Sequence, residues 1–153
     1  MTSHHSVRKT FFLGLFMLAF SAGAFAAKDF NTSQNLLQLF KQAFPDALEV
    51  VWKEQSDRYT VNFRQGDIHF KVEYDKDGNF LGSLRYYTAK NLPVSIFCRL
   101  QKSFSGKTFN EVTELNTGSS LEYYVKMEDD HDWMTVRVSI GGDLKVVAKG
   151  KKP

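Results

Sequence analysis

The stretch Arg58-Tyr-Thr-Val-Asn-Phe63-Arg-Gln-Gly66-Asp-Ile-His69-Phe-Lys-Val72-Glu-Tyr74 decides the fold. From Arg58 to Arg64, Tyr59, Val61 and Phe63 alternate with Arg58, Thr60, Asn62 and Arg64. From Ile68 to Tyr74 the pattern repeats, with Ile68, Phe70, Val72 and Tyr74 opposed to His69, Lys71 and Glu73. Side chains on a strand alternate between faces, so each segment puts one face in a core and the other in water, as in an antiparallel sheet covered on one side. Gln65-Gly66-Asp67 supplies the positive-φ residue that a tight hairpin needs. Working outward, Leu48 to Glu54 and Phe80 to Tyr87 read as further strands, with Asp77-Gly78-Asn79 as the last turn. Before them Leu36, Leu39, Phe40, Ala43 and Phe44 recur on one helical face behind the capping run Asn31-Thr-Ser-Gln34, and Pro45 stops the helix.

The rest of the chain repeats this order. A helix opens at Asn91-Leu-Pro93, runs through Phe97, Leu100 and Phe104, and ends at Gly106. Strands are expected at 108–115, 121–128, 133–140 and 144–149, separated by turns at Asn116-Thr-Gly118, Asp129-Asp-His-Asp132 and Gly141-Gly-Asp143. Phe40-Lys-Gln-Ala-Phe44 parallels Leu100-Gln-Lys-Ser-Phe104, and Ile68-His-Phe-Lys-Val72 parallels Met134-Thr-Val-Arg-Val138. The chain is therefore expected to be α+β, a tandem repeat of one helix plus a four-stranded antiparallel meander, over about 30–88 and 89–153. Units this small bury too little to stand alone, so the halves are expected to share one sheet or one core.

At the other end, Arg8 and Lys9 precede the apolar run Phe11 to Phe20, and Ala24-Phe-Ala26 follows. A positive start, a short apolar middle and an Ala-x-Ala end make residues 1–26 a secretory signal peptide. The run is too short for a membrane span, and no second one follows, so no membrane association is expected after cleavage. Localisation is expected to be periplasmic or secreted, with 27–153 as a single domain. The chain has 20 Lys+Arg and 17 Asp+Glu, a formal charge of +3. Loss of Arg8 and Lys9 leaves 18 basic and 17 acidic groups, nearly neutral. That balance, with mixed signs on the strands, argues against nucleic acid as a partner. The single cysteine, Cys98, cannot form an intramolecular disulfide and reads as a small buried hydrophobe.

Taken together, the signal segment, Phe40-Lys-Gln-Ala-Phe44-Pro45, Val50-Val-Trp52-Lys, Tyr59-Thr-Val-Asn-Phe63, Tyr74-Asp-Lys-Asp-Gly78, Leu92-Pro93, Lys102-Ser-Phe104 and Glu122-Tyr-Tyr-Val125 resemble the PepSY-like, beta-lactamase-inhibitor-protein-like family of bacterial exported proteins. The resemblance implies one curved sheet with both helices packed on one face.

No catalytic constellation is visible, so an enzyme is not expected. Only His69 and His131 remain in the mature chain, and neither lies in a nucleophile-elbow or helical metal-ligand motif. No cofactor is expected. Asp75 and Asp77 before Gly78 begin like half of a calcium loop, but Phe80, Leu81 and Gly82 follow and no bidentate Glu closes it, so a hairpin turn is expected. Asp129, His131 and Asp132 form a denser acidic tip, yet clustered acids at a hairpin are ordinarily solvated and no metal is assigned.

The polar side of the strands carries the functional expectation. Alternation places Arg58, Arg64, His69, Lys71, Arg85 and Tyr87 there from the first half, and Tyr124, Lys126, Trp133 and Arg137 from the second. Tyr, Trp and Arg are enriched where proteins meet partners. The reading is an exported, non-enzymatic binding or inhibitory module whose open sheet face contacts an extracytoplasmic protein or peptide, as a monomer or weak homodimer. The alternative is a periplasmic protein binding a small ligand or metal.

Overall fold

The computed structural model describes residues 34–152. The expected signal peptide at 1–26 and the expected capping residues Asn31-Thr-Ser33 lie outside the described residues. The order is α1 (Gln34–Ala43), β1 (Leu48–Glu54), β2 (Arg58–Gln65), β3 (Ile68–Asp75), β4 (Phe80–Thr88), a 3-10 turn (Ala89–Asn91), α2 (Val94–Ser103), β5 (Thr108–Asn116), β6 (Leu121–Glu128), β7 (Asp132–Ser139) and β8 (Leu144–Lys151). All eight strands pair in sequence order, antiparallel throughout, in one open sheet. The junction between the halves is an ordinary β4–β5 pairing, made possible because α2 returns the chain to the sheet beside β4.

Directly opposed residues of an antiparallel pair share a face. Val61 opposes Val72, Val112 opposes Val125, and Val125 opposes Val136. All five side chains are buried on the face that both helices cover. Phe40 from α1 packs on Val61, Phe63 and Val72, its ring edge-on to Phe63 at 5.1 Å. Ile96 and Leu100 from α2, spaced one helical turn apart, pack on Val112, Val125, Met127, Val136 and Val138. Leu39, expected on the buried stripe of α1, is exposed; Leu36 and Phe40 alone are buried on that helix. Cys98 is also exposed, contrary to expectation, because a residue two positions from both Ile96 and Leu100 points away from the face they bury.

The hairpins follow their turn residues. Gly66 has φ 57° and Gly78 has φ 89°, conformations that a side chain disfavours. In the second turn, Asp75 Oδ1 accepts hydrogen bonds from the backbone of Asp77 at 2.9 Å and Asn79 at 2.8 Å, while Oδ2 accepts from Asn79 Nδ2 at 2.8 Å. The carboxylate is thus committed to the turn.

Four register slips interrupt the sheet, two of them between Phe109 and Val112 and between Thr135 and Val136, and the two in the first half bear on the site. Glu49 adopts φ 56° at a bulge where β1 slips against β2 between Leu48 and Val51. A second slip between Glu73 and Tyr74 sets the parity of β4. Among the described residues, no helix is long and apolar enough to cross a membrane.

Candidate functional site on the open sheet face

The face opposite the helices is ordered by strand register. One row runs Arg64, His69, Tyr86, Thr113, Tyr124, Arg137 and Lys145, each opposed to the next across β2 to β8. The neighbouring row runs Asn62, Lys71, Leu84, Leu115, Glu122 and Ser139. Eight of the ten sequence-predicted residues lie on this face: Arg58, Arg64, His69 and Lys71 on β2 and β3, and Tyr124, Lys126, Trp133 and Arg137 on β6 and β7.

Arg85 and Tyr87 do not. Arg85 opposes Phe70 and Glu114, and Tyr87 opposes Val112, which places both on the helix-covered face. Tyr87 is buried. The segment Phe80 to Tyr87 lacks strict alternation, so its face is set by the register slip against β3 and could not be read from β4 alone. The slip turns Leu84 and Tyr86 outward instead, and these two, with Leu115, are the site residues that sequence reasoning missed. The Tyr86-Tyr87 doublet was the available signal: one member had to face out.

The open face has an apolar centre and a charged rim. Tyr86 is 43% exposed, with half-buried Leu84 and Leu115 beside it. On the first-half rim, Glu73 receives Lys71 at 2.8 Å and Arg58 at 3.1 Å. These two cations, Lys71 foremost, hold the Glu73 carboxyl below its ordinary range. Arg64 pairs with Glu49 at 3.0 Å. On the second-half rim, Tyr124 donates to Glu122 at 2.9 Å and Arg137 pairs with the same carboxylate at 3.3 Å. Acting as a donor to Glu122 raises the Tyr124 phenol. Lys126 pairs with Glu111 at 3.5 Å. Three shallow clefts of about 260, 280 and 380 Å³ surround the apolar centre. Lys71 and Leu84 line the first, Arg64, His69 and Tyr86 the second, and His69, Tyr86 and Thr113 the third.

Trp133 sits apart, at the β7–β8 corner. A Cβ built on Gly150 would come within 2.8 Å of its indole, so the ring lies flat over the glycine that opposes it. Its first role is to cover the outermost strand.

The acidic tip is built around a lysine. Lys107 Nζ contacts Asp129 at 2.6 Å and also Asp132, while Asp129 Oδ1 accepts from the backbone N–H groups of His131 and Asp132. Lys107, followed by those backbone donors, holds the Asp129 carboxyl far below its usual range. The side chain of Lys107 fills the space that a cation would take between these carboxylates. Among the described residues, no group of three or more His, Cys, Asp or Glu side chains is placed to hold a metal.

No protein-family model matches the chain, and no curated protein matches it. Solved structures do. A BLIP-like protein from Bacteroides fragilis is similar at 22% identity and TM-score 0.56, covering 79% of this chain and 90% of its own. A DUF2874 family protein from Bacteroides uniformis is similar at 15% identity and TM-score 0.52, covering 76% and 87%. A candidate periplasmic protein from Bacteroides eggerthii is similar at 14% identity and TM-score 0.52, covering 76% and 86%. At these identities the likeness concerns the backbone: the chain has a BLIP-like fold.

Proposed function

We propose that the protein is an exported, non-enzymatic binding or inhibitory module that contacts a protein or peptide through the open face of its sheet. The observation that carries this reading is the apolar centre at Leu84, Tyr86 and Leu115, set between two rims of paired charges. An apolar core inside a polar rim is the anatomy of protein interfaces. From β2 to β7 the face spans about 24 Å by about 27 Å. Side-chain relief over that area approaches the roughly 800 Å² that each partner contributes to a standard interface. The BLIP-like fold and the neighbour described as periplasmic agree with an exported binding module. The two helix-and-meander halves are read as copies of one unit, with 1–26 as the export signal and 27–153 as a PepSY-like domain. The metal-binding alternative loses ground to the Lys107 clamp on Asp129 and Asp132.

The test is affinity capture from an extracytoplasmic extract with three forms of the protein. A partner should be retained by the unaltered protein and by Val94→Ser, which changes an exposed residue of α2. It should be lost with Tyr86→Ala combined with Tyr124→Ala. Equal capture by all three forms would overturn the proposal.

A further inference from the structure

We infer that the first-half side of the open face recognises an acidic protein segment, one that places a carboxylate between Arg64, His69 and Lys71 and an adjacent apolar side chain on Tyr86 and Leu84. This rests on the reading of the open face as the contact surface and adds the chemistry of the partner.

The cleft of about 280 Å³ is lined by Arg64, His69, Lys71, Asn62, Tyr86 and Glu49 among others. Arg64 stands directly opposite His69, and His69 opposite Tyr86, so a guanidinium, an imidazole and a phenol ring follow one another across three strands. Lys71 lies two residues further along the same face of β3. The carboxylates that answer these groups are few and already divided. Glu73 serves both Arg58 and Lys71. Glu49, the partner of Arg64, projects from the bulge of the outermost strand and its side chain is 67% exposed. An exposed ion pair of this kind contributes about 0–1 kcal/mol. An incoming carboxylate can therefore replace Glu49 on Arg64 at little cost, while the guanidinium fork offers two parallel donors to it.

The neighbouring surface selects the rest of the ligand. Leu84 stands beside Tyr86 on β4, directly opposite Lys71, and Leu115 lies across from Leu84 on β5, so a segment carrying only charge would leave that apolar surface wet. A nucleic-acid backbone fits less well: Glu49, Glu73, Glu111 and Glu122 are interleaved with the cations and would repel a continuous run of phosphates. Discrete carboxylates on a folded loop can sit between them.

The experiment selects 12-residue random peptides displayed on phage against protein purified from expression of the full chain. Peptides whose binding is weakened by Tyr86→Ala should carry Asp or Glu next to an aromatic or aliphatic residue. Arg64→Ala or Lys71→Ala should weaken a selected acidic peptide about tenfold, equivalent to about 1.4 kcal/mol. The double reversal Arg64→Glu with Lys71→Glu, checked by its melting curve, should shift selection to Lys and Arg; if it fails to fold, the single alanine variants decide. Selected peptides without acidic enrichment, unchanged binding to the alanine variants, or displacement of the acidic peptide by oligothymidylate would each overturn the inference while leaving the open face as the contact surface. Recovery of no Tyr86-dependent peptide would remove both readings together.

Discussion

Arg85 and Glu114 face each other across the β4–β5 pairing, with Arg85 Nη1 donating to Glu114 Oε1 at 2.9 Å. Tyr87 donates to the other oxygen of the same carboxylate at 2.7 Å. Arg85 and Glu114 lie on the helix-covered face, in a row that is otherwise Phe63, Phe70, Tyr123, Val138 and Leu144, between the apolar cluster under α1 and the one under α2, to which Tyr87 belongs. The Arg85 guanidinium also lies 5.3 Å from the Phe70 ring and 5.4 Å from the Tyr87 ring, while Arg85 Nε is buried without a hydrogen-bond partner among the described residues. The two halves are thus joined by a polar contact that has to be complete, because a buried charge left without its partner is costly.

Glu114→Ala should destabilise the protein by about 1–3 kcal/mol, since it leaves the buried Tyr87 hydroxyl without its acceptor and the one-third exposed Arg85 without its partner. Glu114→Gln keeps an acceptor and should cost about 1 kcal/mol. Urea unfolding of the two variants measures the difference, and equal losses would show that a neutral acceptor cannot replace the carboxylate at the junction.

Burial, followed by donation to Glu114, pushes the Tyr87 phenol well above its ordinary value of 10.0. The folded state thus keeps its proton where the unfolded chain would lose it. The associated stability is present below pH about 10 and declines as pH rises above that. Tyr87→Phe should flatten the alkaline fall in melting temperature between pH 9 and 11, seen by following Tm against pH (about one unit either side of the free phenol).

At the acidic end the depressed carboxyl of Asp129 works in the opposite sense. Its folded value lies below the ordinary 3.8, so its contribution is present above that pH and is lost as pH falls below it. Asp129→Asn should melt lower at pH 7 and converge on the unaltered protein in strong acid. Parallel melting curves down to the lowest pH would contradict the Lys107 clamp.

The helix α2 gives a contrast in one turn. Leu100 has no exposed surface, whereas Cys98 is exposed and free. Leu100→Ala should cost about 2–5 kcal/mol, and Cys98→Ser should stay within about 0.5 kcal/mol. The thiol should react stoichiometrically with a thiol reagent without denaturant, measured by absorbance.

Gly150→Val tests the cover over the last strand. Its side chain would meet the Trp133 indole, so the ring must move, at about 1–3 kcal/mol. A red shift of the tryptophan emission is expected; Trp52, on the other edge strand, should contribute an unchanged signal.

Strand and helix positions were legible because their causes are local. Alternation in Arg58 to Tyr74 predicts β2 and β3 and their buried face, and Gly66 and Gly78 mark the turns that join β2 to β3 and β3 to β4. Period-two patterns, helical spacing at Leu36 and Phe40, and Pro45 act within a few residues of themselves. The candidate face was legible only where a strand alternates on its own, as β2, β3, β6 and β7 do. For β4 the sequence Leu84-Arg-Tyr-Tyr87 is compatible with either parity, and the slip between Glu73 and Tyr74 decides it. That one register turns Arg85 and Tyr87 inward to meet Glu114, and Leu84 and Tyr86 outward to form the apolar centre. Pairing across strands is a property of two distant segments and the turn between them, so the tertiary structure, not the local pattern, chose which residues of β4 face solvent.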